Sequence, residues 1–167
     1  EIRKEKLQAR PFRSESIAAV LKTEFAPLAE VKGIEFVTDN RAAEVLGGDK
    51  ERILRIGSNL LSNAVKFTRS GRITLHTDYK DGQFILSVED TGTGIRKEKQ
   101  EQIFAPFERL GNAVTQDGFG LGLAIVSNLV QLMQGSASVE SEPGKGSRFT
   151  VVLPLPRAEE VPEGEKA

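Results

Sequence analysis

The chain has 167 residues, 38% of them hydrophobic, with 23 Lys and Arg against 24 Asp and Glu and a formal net charge of −1. That length fits one globular domain with a sizeable core, and interspersed charges of both signs give no electrostatic footprint for nucleic acid or an anionic membrane. The absence of cysteine excludes disulfides, thiolate metal sites and cysteine nucleophiles; with no apolar run near the roughly 18 residues of a membrane span and no charged-then-apolar leader, the chain is expected to be soluble and suits the cytoplasm.

In chain order, EIRKEKLQAR (1–10) is highly charged with few apolar positions. It reads as the end of a longer helix from an upstream module, broken by Pro11. Residues 1–12 are therefore assigned to an upstream helix or linker, 13–155 to the folded domain and 156–167 to an acidic linker or disordered tail. From Ser14, an N-cap candidate, a helix with apolar residues at Ile17, Val20, Leu21, Leu28 and Val31 runs to a stop at Gly33. Pro27 inside it should bend the helix or remove a hydrogen bond. IEFVTD and AEVLGG read as short strands, and Asp49 as the cap of the next helix. GRITLHTDY, the turn KDG and QFILSVED make a hairpin with alternating side chains. A Gly- and Gln-containing connector near residues 109–118 leads into the helix LGLAIVSNLVQLMQ, stopped by Gly135. SASVES, EPGKG and SRFTVVLP make a closing hairpin. Three main helices in blocks with short strands predict an α+β domain of two layers, a mixed sheet covered on one face by three helices.

The helix over residues 50–67 carries two kinds of surface. At about 100° per residue, Ile53, Leu54, Leu60, Leu61, Ala64, Val65 and Phe67 share a broad arc. Arg52, Arg55, Asn59, Asn63 and Lys66 form the opposite stripe. Alone, this fits an amphipathic helix with a wet face as well as one wall of a cleft. The side-chain oxygen of Asn63 suits Mg²⁺, which prefers hard oxygen ligands and is commonly shared with substrate phosphates. Lys66 supplies a point charge for phosphate oxygens, and Phe67 a ring to pack on a base.

After the strand FILSVE comes Asp90-Thr91-Gly92-Thr93-Gly94-Ile95. A carboxylate at a strand end suits the exocyclic amine of adenine, and the glycines admit a flat ligand close to the backbone; a plain turn accounts for the same residues. Farther on, Gly118-Phe119-Gly120-Leu121-Gly122-Leu123 opens into a helix, where crowded N–H groups and the helix N-terminus favour phosphate. The loop before it has the composition of a lid. Phe104 and Phe107 read as its core anchors, and Arg109 as a phosphate contact.

Together these blocks resemble the sensor histidine kinases of two-component systems. NLLSNAVKFT resembles their N box, DTGTGI and GFGLGLAI the two glycine boxes, IFAPFERL the F box, and GKGSRF the closing glycine motif. The resemblance runs from about Ser14 to Pro154, with the blocks in family order. It implies the Bergerat-type ATP-binding fold shared with DNA gyrase, mismatch-repair ATPases and heat-shock chaperones. It further implies ATP and Mg²⁺ as cofactors: Asn63 as metal ligand, Lys66 near the phosphates, Phe67 by the adenine, and Asp90 on its amine with Gly92, Gly94 and Ile95 lining the pocket. Arg109 would approach the terminal phosphate. Gly118, Gly120, Leu121, Gly122 and Leu123 would cradle the phosphates, and Ser147 matches a hydroxyl position near the base.

Related ATPases carry a glutamate one turn before the metal-binding asparagine, where it activates water. Here that position is Asn59, and an amide cannot accept the proton, which favours phosphotransfer over hydrolysis. The family's acceptor is a histidine on a dimerisation helix; the single histidine here, His76, sits in a strand and reads as an ordinary strand residue. The acceptor module is therefore expected outside this chain, as is a response regulator with a receiver domain. The isolated domain is expected to be monomeric and its parent a homodimer, in the cytoplasm or anchored in the inner membrane, with no nucleic-acid partner. Alternatives are an ATPase or protein serine kinase of the same superfamily, or a nucleotide-binding module without catalysis.

Overall fold

The computed structural model describes residues 7–100 and 120–159. Five strands form a mixed sheet in the order β2-β4-β5-β7-β6, and β1 pairs with β3 in a separate ribbon of two strands. The large sheet comprises β2 (Glu35–Asn40), β4 (Arg72–Lys80), β5 (Gln83–Asp90), β6 (Ser136–Glu142) and β7 (Gly146–Pro154). The ribbon comprises β1 (Arg10–Arg13) and β3 (Val45–Gly48). Helices α1 (Glu15–Val31), α2 (Lys50–Phe67) and α4 (Gly120–Leu132) accompany a single short turn of helix, α3 (Lys97–Gln100).

Alternation decides which face is covered. On β4, Ile73, Leu75 and Thr77 are buried, as are Phe84, Leu86 and Val88 on β5 and Phe149, Val151 and Leu153 on β7. Their neighbours of opposite parity, among them Thr74, His76, Ile85 and Thr150, keep partial exposure. Ile17, Leu21, Ile53, Ile56, Leu60, Leu61, Leu123 and Val126 from the helices complete the one core. This is the expected two-layer arrangement, with the helices on one face of a mixed sheet.

The β4–β5 hairpin turns through Asp81 and Gly82, both at positive φ (54° and 76°), the conformation a tight two-residue hairpin needs. Helix α1 ends as expected at Gly33, whose φ is +74°; the Ile34 amide reaches back to Ala29 O at 2.9 Å and closes the helix end. Pro27 lies within α1 without ending it.

Several local expectations need correction. Ser14 sits at the N-cap of α1 but its hydroxyl makes no capping bond; it is buried and accepts instead from the Glu44 amide at 2.9 Å. Val20, Leu28 and Val31 are 41%, 49% and 86% exposed; the core stripe of α1 keeps Ile17 and Leu21 and adds Ala18, Phe25 and Ala29 in place of the other three, with Ala29 fully buried.

 Residues 10–12, expected in the linker, form β1 together with Arg13, and Phe12 is 1% exposed in the core. Burying a phenylalanine contributes about 2 kcal/mol, so this strand is part of the folded unit. β2 and β3 do not pair with each other: β3 pairs with β1, and β2 runs parallel to β4. At the other end, Pro156 O accepts from the Gly47 amide and the Ala158 amide donates to Val45 O, both at 2.8 Å. The first residues of the expected tail therefore extend the ribbon. No helix among the described residues is long and apolar enough to cross a membrane.

Candidate nucleotide-binding site

The expected site begins on helix α2. Asp49 caps it, accepting from the Arg52 amide at 3.1 Å through Oδ1. Its Oδ2 accepts from the Gln8 amide at 2.9 Å and pairs with the Arg52 guanidinium. The carboxyl is nearly buried, which by itself would raise its pKa; hydrogen bonds from the Gln8 and Arg52 amides and the Arg52 side chain outweigh burial and hold it below the ordinary value of 3.8. The buried face of α2 is Ile53, Ile56, Gly57, Leu60, Leu61 and Ala64. Gly57 packs closely on α1: a Cβ there would lie 2.5 Å from Leu21 Cδ1, so that side chain would have to shift. The helix thus meets α1 closely, and its polar stripe is turned away from that contact.

On that stripe Asn59 and Asn63 are partly buried and Lys66 is exposed. Asn63 Nδ2 is buried without a hydrogen-bond partner. Lys66 Nζ lies 5.4 Å from the centroid of the Phe67 ring, within cation–π range. Among the described residues no group of three or more His, Asp or Glu forms a cation cage. A neutral amide oxygen nonetheless fits Mg²⁺ when phosphates and water complete its shell.

The end of α2 meets the loop after β5. A Cβ on Gly92 would lie 2.6 Å from Phe67 O and 2.9 Å from Asp90 Oδ1, so only glycine permits this approach. The Gly92 amide donates to Asp90 Oδ1 at 2.8 Å. Burial raises the Asp90 pKa above 3.8, against the lowering effect of hydrogen bonds from the Gly92 and Ser147 amides. Thr91 stitches the loop to the start of β4: its Oγ1 accepts from the Arg72 amide at 3.0 Å and donates to Ser70 O at 3.2 Å. Thr68 Oγ1, just past α2, is buried without a partner.

Gly94, with φ +76°, packs so closely on the turn after β6 that a Cβ would lie 2.1 Å from Glu142 O. Ile95 is 4% exposed and Leu123 fully buried, so both side chains belong to the core. Gly120, Leu121 and Gly122 lie in the first turn of α4. Arg109, Gly118, Phe104, Phe107 and the expected lid lie outside the described residues.

Ser147 is 8% exposed, as is Asp90, and the two are direct partners in the β5–β7 register. Ser141 is the next partner across β7–β6, so the three form one row across adjacent strands. Both Asp90 and Ser147 line an open groove of about 550 Å³ with Gln100 and Lys145. The Gln100 side chain ties α3 to this edge, donating to Ile95 O at 2.7 Å and to Ser141 O at 3.0 Å. Sequence reasoning missed Ser141 and Gln100. The signal available for Ser141 was its placement opposite Ser147 across the glycine-containing turn EPGKG.

His76 occupies the opposite face of the sheet. Its Nδ1 is 3.3 Å from Asp39 Oδ2 and its Nε2 3.2 Å from Glu89 Oε1, as befits a strand residue engaged by its neighbours.

The family model for histidine kinase-, DNA gyrase B- and HSP90-like ATPases matches residues 48–157, the stretch containing α2, the Asp90 loop and the Ser147 row. The chain belongs to this family.

Within it, the chain is similar to sensor histidine kinases. It is 39% identical over 155 residues to the sensor histidine kinase RcsC of Escherichia coli K12, an alignment covering 90% of this chain and 16% of RcsC. It is 36% identical over 166 residues to the autoinducer 2 sensor kinase/phosphatase LuxQ of Vibrio parahaemolyticus, covering 93% of this chain and 19% of LuxQ. The chain therefore spans less than a fifth of the length of these relatives. Among solved structures, full-length ShkA in complex with AMPPNP superposes with a TM-score of 0.83 at 34% identity, covering 93% of this chain and 33% of ShkA. The nucleotide-free catalytic domain of the histidine kinase ThkA superposes with a TM-score of 0.76 at 25% identity, covering 88% of this chain and 95% of that domain.

Proposed function

We propose that this chain binds Mg-ATP and donates the γ-phosphoryl group to a histidine on a dimerisation module outside it, as the catalytic part of a two-component sensor kinase. The observation that carries this reading is the junction of α2 with the Asp90 loop. Gly92 packs against the Phe67 carbonyl, so the helix that carries Asn59, Asn63 and Lys66 ends against the loop of a buried carboxylate, Asp90. One end suits an exocyclic amine and the other a metal-bound triphosphate. The likeness to ShkA, whose structure holds AMPPNP, supports adenine nucleotide as the ligand.

Asn63 would hold Mg²⁺ through its amide oxygen, and the ion would supply charge neutralisation for the phosphates. Lys66 would add a point charge, and the family resemblance gives Arg109 and the glycines at 118, 120 and 122 the role of phosphate contacts. Such transfer depends mainly on positioning and electrostatics. Asn59 cannot deprotonate water, so the terminal phosphate is kept for an imidazole. This reading goes with a cytoplasmic location, a response-regulator receiver domain downstream and a homodimeric parent, and the likeness to multidomain sensor kinases supports it. Activity as an ATPase or serine kinase is the competing reading, and Asn59 argues against both.

Calorimetry with AMPPNP, with and without Mg²⁺, tests the binding half. Binding that strengthens with Mg²⁺ in the wild type and loses that dependence in Asn63→Ala is expected. An absence of nucleotide binding in the folded wild type would contradict it.

A further inference from the structure

The row Asp90, Ser147, Ser141 contains a hydroxyl whose direction is fixed by proton counting. Ser141 Oγ makes three short contacts: from the Ile95 amide at 2.7 Å, to Gly146 O at 2.8 Å and with Ser147 Oγ at 2.8 Å. A serine hydroxyl has one proton and two lone pairs. The Ile95 N–H can only donate, so it takes one lone pair. Gly146 O can only accept, so it takes the proton. The contact to Ser147 is then left with the second lone pair of Ser141, and the proton between the two hydroxyls must come from Ser147.

From this we infer that Ser141 is a positioning residue for base selection: it draws the Ser147 proton away and leaves Ser147 Oγ as an acceptor beside Asp90. Asp90, when ionised, is also acceptor-only. Its Oδ1 receives the Gly92 amide at 2.8 Å, and the register places it directly across from Ser147. Two acceptors on paired residues suit a ligand group with two N–H bonds. The 6-amino group of a purine is such a group, and a 6-oxo group presents lone pairs to both. The inference deepens the proposed nucleotide site and rests on that reading. It assigns selectivity against 6-oxopurine nucleotides to a side chain that need not touch the ligand.

The experiment measures dissociation constants for ATP and inosine triphosphate, with Mg²⁺, on the wild type, Ser141→Ala, Ser141→Thr and Ser147→Ala, each first checked for cooperative thermal unfolding. The wild type should prefer ATP. In Ser141→Ala the Ser147 hydroxyl is free to rotate and donate to a 6-oxo group, so the preference should fall about 10-fold. Ser141→Thr retains the hydroxyl and should restore it. Ser147→Ala removes the hydroxyl itself and should also reduce the preference, which keeps the test available if Ser141→Ala does not fold. A purely structural role for Ser141 would weaken both nucleotides equally and leave the ratio unchanged, overturning the inference. A wild type that binds both equally well would overturn it too, whereas one that binds neither would contradict the nucleotide site on which it rests.

Discussion

Gly92 lies against the Phe67 carbonyl so closely that a Cβ on the glycine would be 2.6 Å from that oxygen. Through this contact the end of α2 is set against the loop that begins at Asp90. Gly92→Ala should therefore force the two apart, with Asp90 Oδ1, 2.9 Å from the added carbon, moving as well. Overpacking of this kind costs about 1–3 kcal/mol. Nucleotide affinity should fall by about 10-fold or more, because small displacements of positioned groups are expensive. Calorimetry and thermal unfolding on the same variant measure the two effects.

Asp90 is a site where binding and stability oppose each other. Its folded pKa is raised above 3.8 by burial, so the folded state holds the proton more tightly than the unfolded one. The stability this confers is present below pH 3.8 and is lost as pH rises through the raised value. Asp90→Asn should consequently unfold at a higher temperature than the wild type at neutral pH, with the difference closing in acid. The same change should weaken ATP by about 10- to 100-fold, the loss of a hydrogen bond to a charged acceptor. Melting curves across pH, paired with calorimetry, check both directions.

Asp49 carries the opposite sign. Its folded pKa is held below 3.8, so its contribution is present above that value and is lost as pH falls through the depressed one. Asp49→Ala should cost about 2 kcal/mol at neutral pH, the upper range for loss of a helix cap. Denaturant titrations should show the gap between wild type and variant shrinking in strong acid.

The two layers, the hairpins and the cap of α2 were legible because each rests on local chemistry. Alternation on β4 and β5 gives the faces, Asp81-Gly82 gives the turn and Asp49 gives the helix start. Less local features were not legible. The charged composition of residues 1–10 concealed the β1 strand, since Phe12 finds its partners across β3 and in the core. Ser14 was read as a cap from its position, but Glu44, remote in sequence, offers its hydroxyl a better donor. On α1, Val20, Leu28 and Val31 carry the helical period without facing the sheet, while alanines at 18 and 29 fit where α1 is buried. At the site, Asn63 and Asp90 could be picked out by residue type. Ser141 was legible only as the residue opposite Ser147, because its role depends on three partners that the fold brings together from the β6–β7 pairing and from the loop after β5.

Asn59 tests the class of reaction. It stands one helical turn before Asn63, where side chains four residues apart share a face. Asn59→Glu places a proton acceptor there, and phosphate release from ATP without an acceptor module should rise toward the roughly 100-fold that a positioned base contributes. A coupled phosphate assay reads it directly, and an unchanged rate would count against the role assigned to this position.

The most direct test of phosphotransfer mixes the wild-type chain with a separately made dimerisation module and γ-labelled Mg-ATP. Label should appear on that module as acid-labile phosphohistidine, and Asn63→Ala should abolish it. Release of label only as inorganic phosphate, or its arrival as acid-stable phosphoserine, would contradict the assignment.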